Sequence, residues 1–365
     1  MKTIRELTDL KNKKVLLRVD FDVPVSEKGE IQESFRIKKQ KEVLDYLVEH
    51  GARVVMVAHI SDSDVDGFAD LISQLHILLG HEVNFIKTTS DIGAYFESYA
   101  GPALLDNIRK NPGEEKNDPE FAKQLASGFD LYINNDFAVC HRNHASVSAI
   151  TKFIPSYAGF LIEQEIVQLE KIIKAPKEGK TIIMGGAKAE TKVPVIKNFL
   201  DKADKILIGG VIANDILKEK GQDIGDSIVD ENTSELLAGL DLARTELAMP
   251  KDFNIFQNKI LDIGPEAIKE FSEIIKNSKM IIWNGPMGMF EDPQFSEGTN
   301  KIAQAITESS TMKIVGGGDT ISAIDKIGLI DRFDFVSTGG GAMLEFLAGE
   351  ELPGLKYLGY YNQSD

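Results

Sequence analysis

Three consecutive stretches decide the fold: Val15–Phe21 reads VLLRVDF, Ile37–His50 reads IKKQKEVLDYLVEH, and Val54–Ala58 reads VVMVA. The first and third are short apolar runs rich in β-branched residues, as expected for strands that are buried on both faces. The second repeats its apolar residues at helical spacing and stops at Gly51, a common residue just after a helix. Together the three stretches predict one strand, helix and strand of a parallel sheet.

The same alternation continues along the rest of the chain. Further strands are predicted at Leu131–Ile133, Thr181–Met184, Ile206–Ile208, Met280–Trp283, Ile314–Val315 and Phe333–Val336. A helix is predicted over Pro265–Lys276, and a strongly periodic amphipathic helix over Ala158–Lys174 is the expected connector between the halves. We therefore predict an α/β protein with two doubly wound, Rossmann-like lobes, each with a parallel sheet, joined by an interdomain helix.

Composition limits the classes of protein and partner. The chain has 365 residues, 41 Lys and Arg against 57 Asp and Glu, and a net charge of −16. This length suits two domains, and the acidic balance argues against nucleic acid and anionic membranes as partners. The first residues lack the apolar stretch of a signal peptide, no apolar run is long enough to span a bilayer, and one cysteine permits no internal disulfide. A cytoplasmic protein is expected.

The two halves differ in the residues that follow their strands. In the first half these are charged or imidazole side chains: Arg18, Asp20, Asp22, His59, Asp136, His141, Arg142 and His144. In the second half they are glycines, at positions 185, 186, 209, 210, 285, 288, 316 to 318 and 339 to 341. Ligands of open α/β sheets bind beyond the carboxyl ends of the strands, so we expect two sites with different chemistry.

The glycine clusters suit a bound phosphate, because glycine admits a close anion and the following helix presents N–H donors at its start. Five such clusters in one half favour a nucleotide. The sequence has neither G-x-x-x-x-G-K-[ST] nor a G-x-G-x-x-G that opens a helix. These absences disfavour a P-loop NTPase and a standard dinucleotide dehydrogenase.

Charged residues beside the glycines are candidates for phosphoryl chemistry. Lys188 and Lys192, in GGAKAETK, follow a strand, and Pro194 favours a helix start there. Such a lysine can follow a phosphoryl group during transfer or can simply be solvated. Asp319, in GGGDT, suits Mg²⁺ held by one carboxylate plus nucleotide phosphates, or a helix N-cap. Glu291, after WNGPMGMF, can accept ribose hydroxyls or be a surface acid.

Basic side chains in the first half of an otherwise acidic chain indicate a site for an acidic small molecule. Arginine in particular suits bidentate recognition of phosphate and carboxylate. These groups are Arg18, Arg36, Arg109, Arg142, His59, His141 and His144. Zinc binding by Cys140, His141 and His144 is a poor alternative, because their spacing matches no usual zinc motif and no fourth ligand is obvious.

The chain resembles the phosphoglycerate kinase family over essentially its whole length. The stretches that carry the resemblance are RVDFDVP (Arg18–Pro24), the segment around Arg36, LLDNIR (Leu104–Arg109), NDFAVCHRNHAS (Asn135–Ser146), AGFLIEQE, GGAKAETK, LIGG, LDIGP, WNGPMGMFE (Trp283–Glu291), GGGDT and STGGGAMLEFLAGEELPG (Ser337–Gly354). Their number, order and spacing make coincidence remote.

The resemblance implies a bilobal, hinge-bending kinase of glycolysis and gluconeogenesis. Such a kinase moves a phosphoryl group between 1,3-bisphosphoglycerate and ADP, giving 3-phosphoglycerate and ATP, with Mg²⁺. The family pattern implies a phosphoglycerate-binding lobe over residues 1–157, a connecting helix over 158–174, a nucleotide-binding lobe over 175–351 and a tail over 352–365 that packs on the first lobe. A monomer is expected, since the sequence has no heptad pattern.

The resemblance also implies roles for individual residues. Asp20 would hold the substrate hydroxyl, within a substrate site made of Asp20, Asp22, Arg36, His59, Arg109 and Arg142. The catalytic set would include Arg36 at the acyl phosphate and Lys192 following the moving phosphoryl group, with Gly318 and Gly341. The nucleotide site would comprise Gly185, Gly186, Lys188, Lys192, Gly209, Gly210, Glu291, Gly317, Gly318, Asp319 and Thr320. Within it Gly209 and Gly210 would line the adenine pocket, Glu291 would accept the ribose, Thr320 would contact a phosphate and Asp319 would anchor Mg²⁺.

Three features depart from the family pattern. Where the family usually has a histidine followed by L-G-R-P, this chain reads HISDS, which places Asp62 at the arginine's position and shortens the loop. Asp22 stands where asparagine is usual, and Met249–Leu261 is abbreviated at the expected rim of the nucleotide pocket. The added acids leave open a kinase of the same fold with another carboxylate acceptor, and a catalytically weak nucleotide-binding paralogue.

Overall fold

A computed structural model describes residues 1–62 and 65–362 of the chain. The chain divides into two compact units, which we call unit 1 (Met1–Val167 and the chain from Glu351 onward) and unit 2 (Gln168–Glu350). No helix among the described residues is both long and apolar enough to cross a membrane.

Unit 1 is built on a parallel sheet of six strands in its described part. They are β1 Lys14–Arg18, β2 Arg53–Val57, β3 Asn84–Ile86, β4 Ala103–Leu105, β5 Leu131–Asn134 and β6 Ser156–Ala158, in the spatial order β3-β4-β2-β1-β5-β6. Arg18, the last residue of β1, is in register with Val57 of β2 and Asn134 of β5. The carboxyl ends of these three strands therefore meet where the strand order reverses, which is where ligands of such sheets bind.

Helices accompany this sheet along the chain. They are α1 Phe35–Lys39, α2 Lys41–Glu49, α3 Ile72–Leu79, α4 Ile92–Ser98, α5 Pro112–Glu115, α6 Pro119–Ala126 and α7 Phe160–Lys174, the last of which contains the boundary between the units. Alternate residues of β1 enter two different apolar clusters. Val15 and Leu17 belong to the cluster that contains Leu44 of α2, whereas Leu16 belongs to the one that contains Phe121 of α6. The sheet is thus buried on both faces, which explains its continuous apolar strands.

Unit 2 repeats the architecture. Its parallel sheet has the order β14-β13-β12-β7-β8-β9, with β7 Lys180–Met184, β8 Lys205–Ile208, β9 Leu247–Ala248, β12 Met280–Asn284, β13 Met312–Gly316 and β14 Phe335–Ser337. A separate antiparallel hairpin is formed by β10 Phe253–Phe256 and β11 Lys259–Ile263. The helices are α8 Ala189–Phe199, α9 Gly210–Glu219, α10 Thr233–Leu237, α11 Pro265–Asn277, α12 Glu297–Glu308, α13 Gly318–Lys326 and α14 Gly341–Ala348. Asn284 is in register with Met184, so the glycine loops after β12 and β7 lie side by side.

After α14 the chain returns to unit 1, where α15 Pro353–Tyr357 packs. Leu352 and Leu355 are fully buried. The backbone N–H of Gly354 donates to the carbonyl of Cys140 at 2.8 Å, and a Cβ at position 354 would lie 3.0 Å from Cys140 Sγ. Glycine is required here because the two backbones are in direct contact.

The predicted fold class is confirmed: both units are doubly wound parallel sheets with helices. The predicted helices over Ala158–Lys174 and Pro265–Lys276 correspond to α7 and α11. Further strands that periodicity did not indicate are β3, β4, β6 and β9, each of two or three residues, and the hairpin β10-β11. Short 3₁₀ turns occur at Ile4–Glu6, Ala69–Leu71, Thr89–Asp91, Ile108–Lys110, Phe137–Val139, Ala149–Lys152, Pro293–Phe295 and Ile330–Arg332.

The prediction of one helix over Ile37–His50 was wrong, because the helix is interrupted at Gln40. Helix α1 ends at Lys39 and α2 begins at Lys41. Gln40 is fully buried, its Nε2 donates to the carbonyl of Arg36 at 3.3 Å, and its Oε1 accepts from Asn135 Nδ2 at 2.7 Å. The side chain thus binds a helical carbonyl and anchors the break to a residue far away in sequence.

The prediction that Pro194 lies at a helix start was also wrong. Helix α8 begins five residues earlier, at Ala189, and contains Pro194 in its interior. The backbone N–H of Ala189 donates to the carboxylate of Asp230. An acid from a distant loop therefore binds the first N–H of the helix, in the way that an N-cap side chain does.

Candidate active site

Arg18 is buried among polar groups at the carboxyl edge of the unit 1 sheet. Its Nη1 lies 3.0 Å from Asp136 Oδ2, its Nε donates to Ser146 Oγ at 3.2 Å, and its Nη2 lies 2.9 Å from His59 Nδ1. Since Arg18 is only 1% exposed, it serves as a fixed cation that orders its neighbours. The sequence indicated a basic residue here but assigned it no separate role.

The tautomer of His59 follows from this contact. A guanidinium can only donate, so Nδ1 of His59 accepts and its proton lies on Nε2. Nε2 in turn lies 3.3 Å from Oδ2 of Asp22. Burial lowers the pKa of His59, and Arg18 lowers it further although Asp22 opposes the shift. His59 is therefore neutral at pH 7, with its one N–H directed at Asp22.

Asp22, where the resemblance leads us to expect asparagine, is held as a carboxylate. Its Oδ1 accepts from the backbone N–H of Ser61 at 2.7 Å, and its backbone carbonyl accepts from Arg36 Nη1 at 3.0 Å. Burial is the largest single influence and opposes ionisation, but the interaction with His59, the hydrogen bond from the Ser61 N–H and the charge of Arg36 together outweigh it and hold the pKa of Asp22 well below its usual range. The extra negative charge is thus partnered inside unit 1.

Asp20 and Arg36 face each other at the centre of this edge. Asp20 Oδ1 accepts from the backbone N–H of Asp22 at 3.1 Å, while Oδ2 lies 3.8 Å from Arg36 Nη1 and accepts no hydrogen bond from any described residue. Burial and the nearby Asp136 raise the pKa of Asp20 to about 7, although Arg36 opposes the shift. Asp20 can therefore donate or accept a hydrogen bond near neutral pH.

The remaining basic groups lie at the same edge. Arg109 Nη1 donates to Ser61 Oγ at 2.6 Å, and Arg142 is exposed. Burial, together with Arg142 in the first case and Arg109 in the second, lowers the pKa of both His141 and His144 to about 4. The two histidines are neutral at pH 7, so the positive charge of this edge comes from arginines.

Asp62, which the resemblance places at the position of an arginine, contacts the backbone of another loop. Its Oδ2 accepts from the N–H of Val25 at 2.9 Å. The carboxylate thereby ties the loop after β2 to the loop after β1. The next two residues of the shortened loop, 63 and 64, lie outside the described residues.

Three of the predicted glycines in unit 2 have no room for a Cβ, because neighbouring backbone or a methionine side chain lies too close. A Cβ at Gly185 would lie 2.2 Å from the carbonyl oxygen of Pro286, and one at Gly209 would lie 2.7 Å from Met287 Sδ. Gly285 has φ of 92° and its Cβ would lie 2.0 Å from the carbonyl oxygen of Gly185. These glycines allow the loops after β7, β8 and β12 to interlock.

Between these loops and the hairpin β10-β11 lies a cavity of about 230 Å³. Four of the predicted nucleotide residues line it: Gly186, Gly210, Glu291 and Asp319. The rest of its wall is largely apolar and includes Val211, Ile228, Phe253, Leu261, Met287 and Phe290. The abbreviated segment before Leu261 therefore still supplies a rim, in the form of the hairpin. An apolar slot with charged groups at its margin suits a nucleobase with its sugar and phosphates outside.

Lys192 lies in the second turn of α8 and is only 7% exposed. Its Nζ donates to the carbonyl of Ala187, and burial lowers its pKa to about 8, although Asp319 and Asp230 oppose the shift. Lys192 therefore carries most of its charge at pH 7 in a partly desolvated place. Lys188, just before the helix, is exposed and has φ of 65°.

The helices α13 and α14 begin at the predicted glycines 318 and 341. Asp319 is exposed in the first turn of α13, and Gly317 before it has φ of 95°. Thr320 is fully buried, and its Oγ1 accepts from the backbone N–H of Gly285 at 2.7 Å, so its hydroxyl proton remains available for donation. Asn284, which the sequence did not single out, is 3% exposed and its Nδ2 has no hydrogen-bond partner among the described residues.

The zinc alternative has no support in the described residues. Cys140 is buried, with Sγ 3.5 Å from the carbonyl oxygen of Asp136, and burial raises the pKa of its thiol. Within residues 1–62 and 65–362, no group of three or more His, Cys, Asp or Glu side chains is placed to hold a metal ion.

Comparison with known proteins agrees with the resemblance in the sequence. A family model described as phosphoglycerate kinase matches residues 4–350. Among curated relatives, the phosphoglycerate kinase of Dictyoglomus turgidum is 41% identical and that of Thermosynechococcus vestitus 39% identical, each over 98% of this chain and 98% of the relative.

Solved structures agree as well. The chain is similar to the crystal structure of phosphoglycerate kinase from Pyrococcus horikoshii, with a TM-score of 0.87 and 30% identity over 100% of both chains. It is also similar to that from Coxiella burnetii, with a TM-score of 0.81 and 30% identity over 98% of this chain and 99% of the other. Because the family model covers residues 4–350 and these relatives are about 40% identical over nearly the whole chain, the chain belongs to the phosphoglycerate kinase family.

Proposed function

We propose that this chain transfers a phosphoryl group reversibly between 1,3-bisphosphoglycerate and ADP, giving 3-phosphoglycerate and ATP. The family match over residues 4–350 carries the proposal. In the forward direction the bond between phosphorus and the acyl oxygen breaks, and a bond to a β-phosphate oxygen of ADP forms. The carboxylate of 3-phosphoglycerate leaves, so the reaction needs positioning and neutralisation of charge rather than a covalent intermediate.

Unit 1 is proposed to bind the phosphoglycerate. Arg109 and Arg142 supply positive charge for its 3-phosphate, and Asp20 holds its hydroxyl group. Arg36 lies 3.8 Å from Asp20 and is oriented by the backbone of Asp22, so it can bridge the acyl phosphate while charge develops there. His59, whose N–H faces Asp22, acts chiefly through that carboxylate.

Unit 2 is proposed to bind the nucleotide, with the base in the 230 Å³ cavity and the ribose near Glu291. The phosphates then lie toward the first turns of α13 and α14, whose N–H groups favour anions. Lys192 neutralises the transferred group, and its low exposure strengthens that interaction because water screens it less. Lys188, which is exposed just before α8, provides a second positive charge for the nucleotide phosphates.

The chain's residues fit the expected Mg²⁺. Asp319 presents an exposed carboxylate in the first turn of α13, at the margin of the cavity, and its charge acts on Lys192. One carboxylate together with nucleotide phosphates and water is a usual Mg²⁺ environment. When bound, the ion would neutralise phosphate charge during transfer.

Three further properties belong to the proposal. The two ligands bind to different units and must meet, so the reaction requires hinge-bending closure that also keeps water from the acyl phosphate. A monomer follows from the absence of a heptad pattern in the sequence, and a cytoplasmic location from the lone cysteine and the family's place in glycolysis.

The test is ATP-dependent phosphorylation of 3-phosphoglycerate, coupled to NADH oxidation through glyceraldehyde-3-phosphate dehydrogenase. Purified chain with Mg²⁺ should give turnover, and omission of 3-phosphoglycerate should abolish it. Direct measurement of ADP formation with glycerate and acetate as acceptors provides the control for specificity. ATP binding without turnover, or preference for another carboxylate, would contradict the proposal and favour a paralogue shaped by Asp22 and Asp62.

A further inference from the structure

Helix α8, which carries Lys192, begins without a cap from its own sequence. The residue before it is Lys188, which has φ of 65° and makes no capping hydrogen bond with its side chain. A lysine ammonium can only donate, so it cannot bind the free N–H groups at a helix start. The N–H of Ala189, which is 1% exposed, instead donates to the carboxylate of Asp230, 41 residues further along the chain. The cap of α8 therefore comes from another segment.

Helix α9 holds Asp230 in this place. The backbone N–H of Asp230 donates to Asp215 Oδ1 at 2.9 Å, and its carbonyl accepts from Thr233 Oγ1 at 2.7 Å. The same Thr233 oxygen lies 3.2 Å from Asp215 Oδ1. Asn214 adds a further contact, from its Nδ2 to the carbonyl of Ile228 at 3.0 Å. The loop before α10, which contains Asp230, is thus fixed to α9.

The capped end of α8 is also where Lys192 places its ammonium group. Lys192 lies in the second turn, and its Nζ donates back to the carbonyl of Ala187, just before the helix. Burial lowers the pKa of Lys192, whereas the carboxylates of Asp319 and Asp230 oppose this shift, so Asp230 is near enough for its charge to act on the ammonium group. The place of this group depends on where the start of α8 lies, and that start is bound to Asp230.

We propose that Asp230 is a positioning residue for phosphoryl transfer, because it caps α8 from another segment and so holds Lys192 where the transferred group is neutralised. The inference rests on the proposed function, which gives Lys192 that role. A displacement of about 1 Å in a group that acts on the reacting atoms can lower a rate about 10²-fold. Loss of the cap should therefore lower kcat. Nucleotide affinity should change little, because the described residues that line the proposed base cavity do not include Asp230.

The experiment uses the full chain with Mg²⁺ and measures kcat for phosphorylation of 3-phosphoglycerate and, by calorimetry, the dissociation constant of ADP. Asp230→Ala removes the acceptor for the N–H of Ala189. It should lower kcat about 10- to 100-fold and keep the ADP constant within about threefold. Asp230→Asn loses the charge but keeps an oxygen that can accept from Ala189, so kcat should return to within about fivefold of the unmodified chain.

Asp252 provides a matched control, because it caps another helix of unit 2 in the same way. Its carboxylate accepts from the N–H groups of Glu266 and Ala267, at 3.1 and 2.8 Å, in the first turn of α11. None of the proposed site residues lies on α11. Asp252→Ala should therefore lower the thermal stability of unit 2 to an extent similar to Asp230→Ala and leave kcat unchanged.

Unchanged kcat in Asp230→Ala would overturn the inference. An equal fall of kcat in Asp252→Ala would do so too, because lost stability alone would then explain the effect. The inference would also fail if Asp230→Asn were as slow as Asp230→Ala, since the charge rather than the cap would then matter. A loss of ADP affinity as large as the loss of kcat would instead place Asp230 in the nucleotide site itself and contradict a positioning role.

Should Asp230→Ala fail to fold, Thr233→Val decides the matter. It removes the hydroxyl that binds the carbonyl of Asp230 and should lower kcat about threefold or more, with ADP affinity preserved. Unchanged kcat in this variant would then overturn the inference. Absence of turnover in the unmodified chain would overturn the proposed function and this inference together, whereas normal turnover combined with any of the contrary results would overturn the inference alone.

Discussion

Arg36 shows how a single side chain can be ready for a ligand without being bound tightly to its neighbours. It donates to the backbone carbonyl of Asp22 and stays 3.8 Å from Asp20, so the position of its guanidinium is set while other N–H groups remain available. Since these contacts lie within unit 1, its proposed role is separable from nucleotide binding in unit 2.

We predict that Arg36→Ala lowers kcat about 10³-fold or more, because a cation that stabilises phosphoryl transfer is lost. The dissociation constant of ADP, measured by calorimetry, should stay within about twofold. Arg36→Lys is the control, since it keeps the charge but loses the planar fork and should retain intermediate activity. A comparable loss of ADP binding would contradict the assignment of Arg36 to unit 1 chemistry.

Asp20 makes a pH prediction possible. Burial raises its pKa to about 7, above the ordinary value of 3.8, so its contribution to the free energy of unfolding is full below pH 4 and is lost as the pH rises through 7. In the variant Asp20→Asn, the side chain at this position is uncharged at every pH. Relative to the unmodified chain, the stability of the variant should rise by about 2.6 kcal/mol between pH 5 and pH 8. Urea unfolding of both proteins at these two pH values measures the difference, and parallel curves would show that Asp20 does not titrate in this range.

At the scale of elements, the sequence predicted long buried strands and periodic helices because their signal is local. The strands β3, β4 and β6 have three residues each, too few for a period to show. At the break, Gln40 is hydrogen-bonded to Asn135, which is 95 residues away, and at the start of α8 the N–H of Ala189 is hydrogen-bonded to Asp230. These features follow from contacts between distant segments, which no local pattern contains.

The same distinction applies to the candidate site. The sequence indicates glycines and charged residues directly after its predicted strands. Because the carboxyl ends of parallel strands lie at one edge of the sheet, these residues could be assigned to a common site. Asn284 ends β12, but only the structure reveals that it is buried and that its Nδ2 has no hydrogen-bond partner among the described residues. Arg18 likewise looked like one basic group among several, and its burial beside Asp136 shows a supporting role.

Because the glycine loops of unit 2 are in direct contact, we predict that adding a single methyl group to one of them strongly lowers the stability of this unit. In Gly285→Ala, the new Cβ would lie 2.0 Å from the carbonyl oxygen of Gly185, and φ is 92°. We expect the free energy of unfolding of unit 2 to fall by about 3 kcal/mol or more. In the control Gly221→Ala, φ is also positive at 71° but no atom lies within 4 Å, so the loss should be about 1 kcal/mol. Thermal unfolding compares the two, and equal losses would show that crowding at Gly285 is relieved by movement.

At the scale of the whole molecule, unit 1 is made from two separate parts of the chain. We predict that Leu355→Ala, in the returning segment, lowers the free energy of unfolding of unit 1 by about 2–5 kcal/mol, because Leu355 is fully buried. ADP affinity should be unchanged at temperatures where the protein remains folded. Tyr357→Ala on the same helix is the control, since Tyr357 is 40% exposed and should cost much less. Scanning calorimetry together with ADP titration tests both parts, and lost ADP binding in folded Leu355→Ala would contradict them.

The return of the chain to unit 1 has a consequence for the order of events during synthesis. A ribosome makes residues 1–167 first, yet the unit they form still lacks the leucines of the returning segment and the hydrogen bond from Gly354 to Cys140. Unit 2, in contrast, is one uninterrupted stretch that is complete before that segment is made. Domains generally fold as units during translation. The half of the protein that is made first should therefore be the last to reach its full stability, and until then its apolar surface beside Cys140 is open to chaperones.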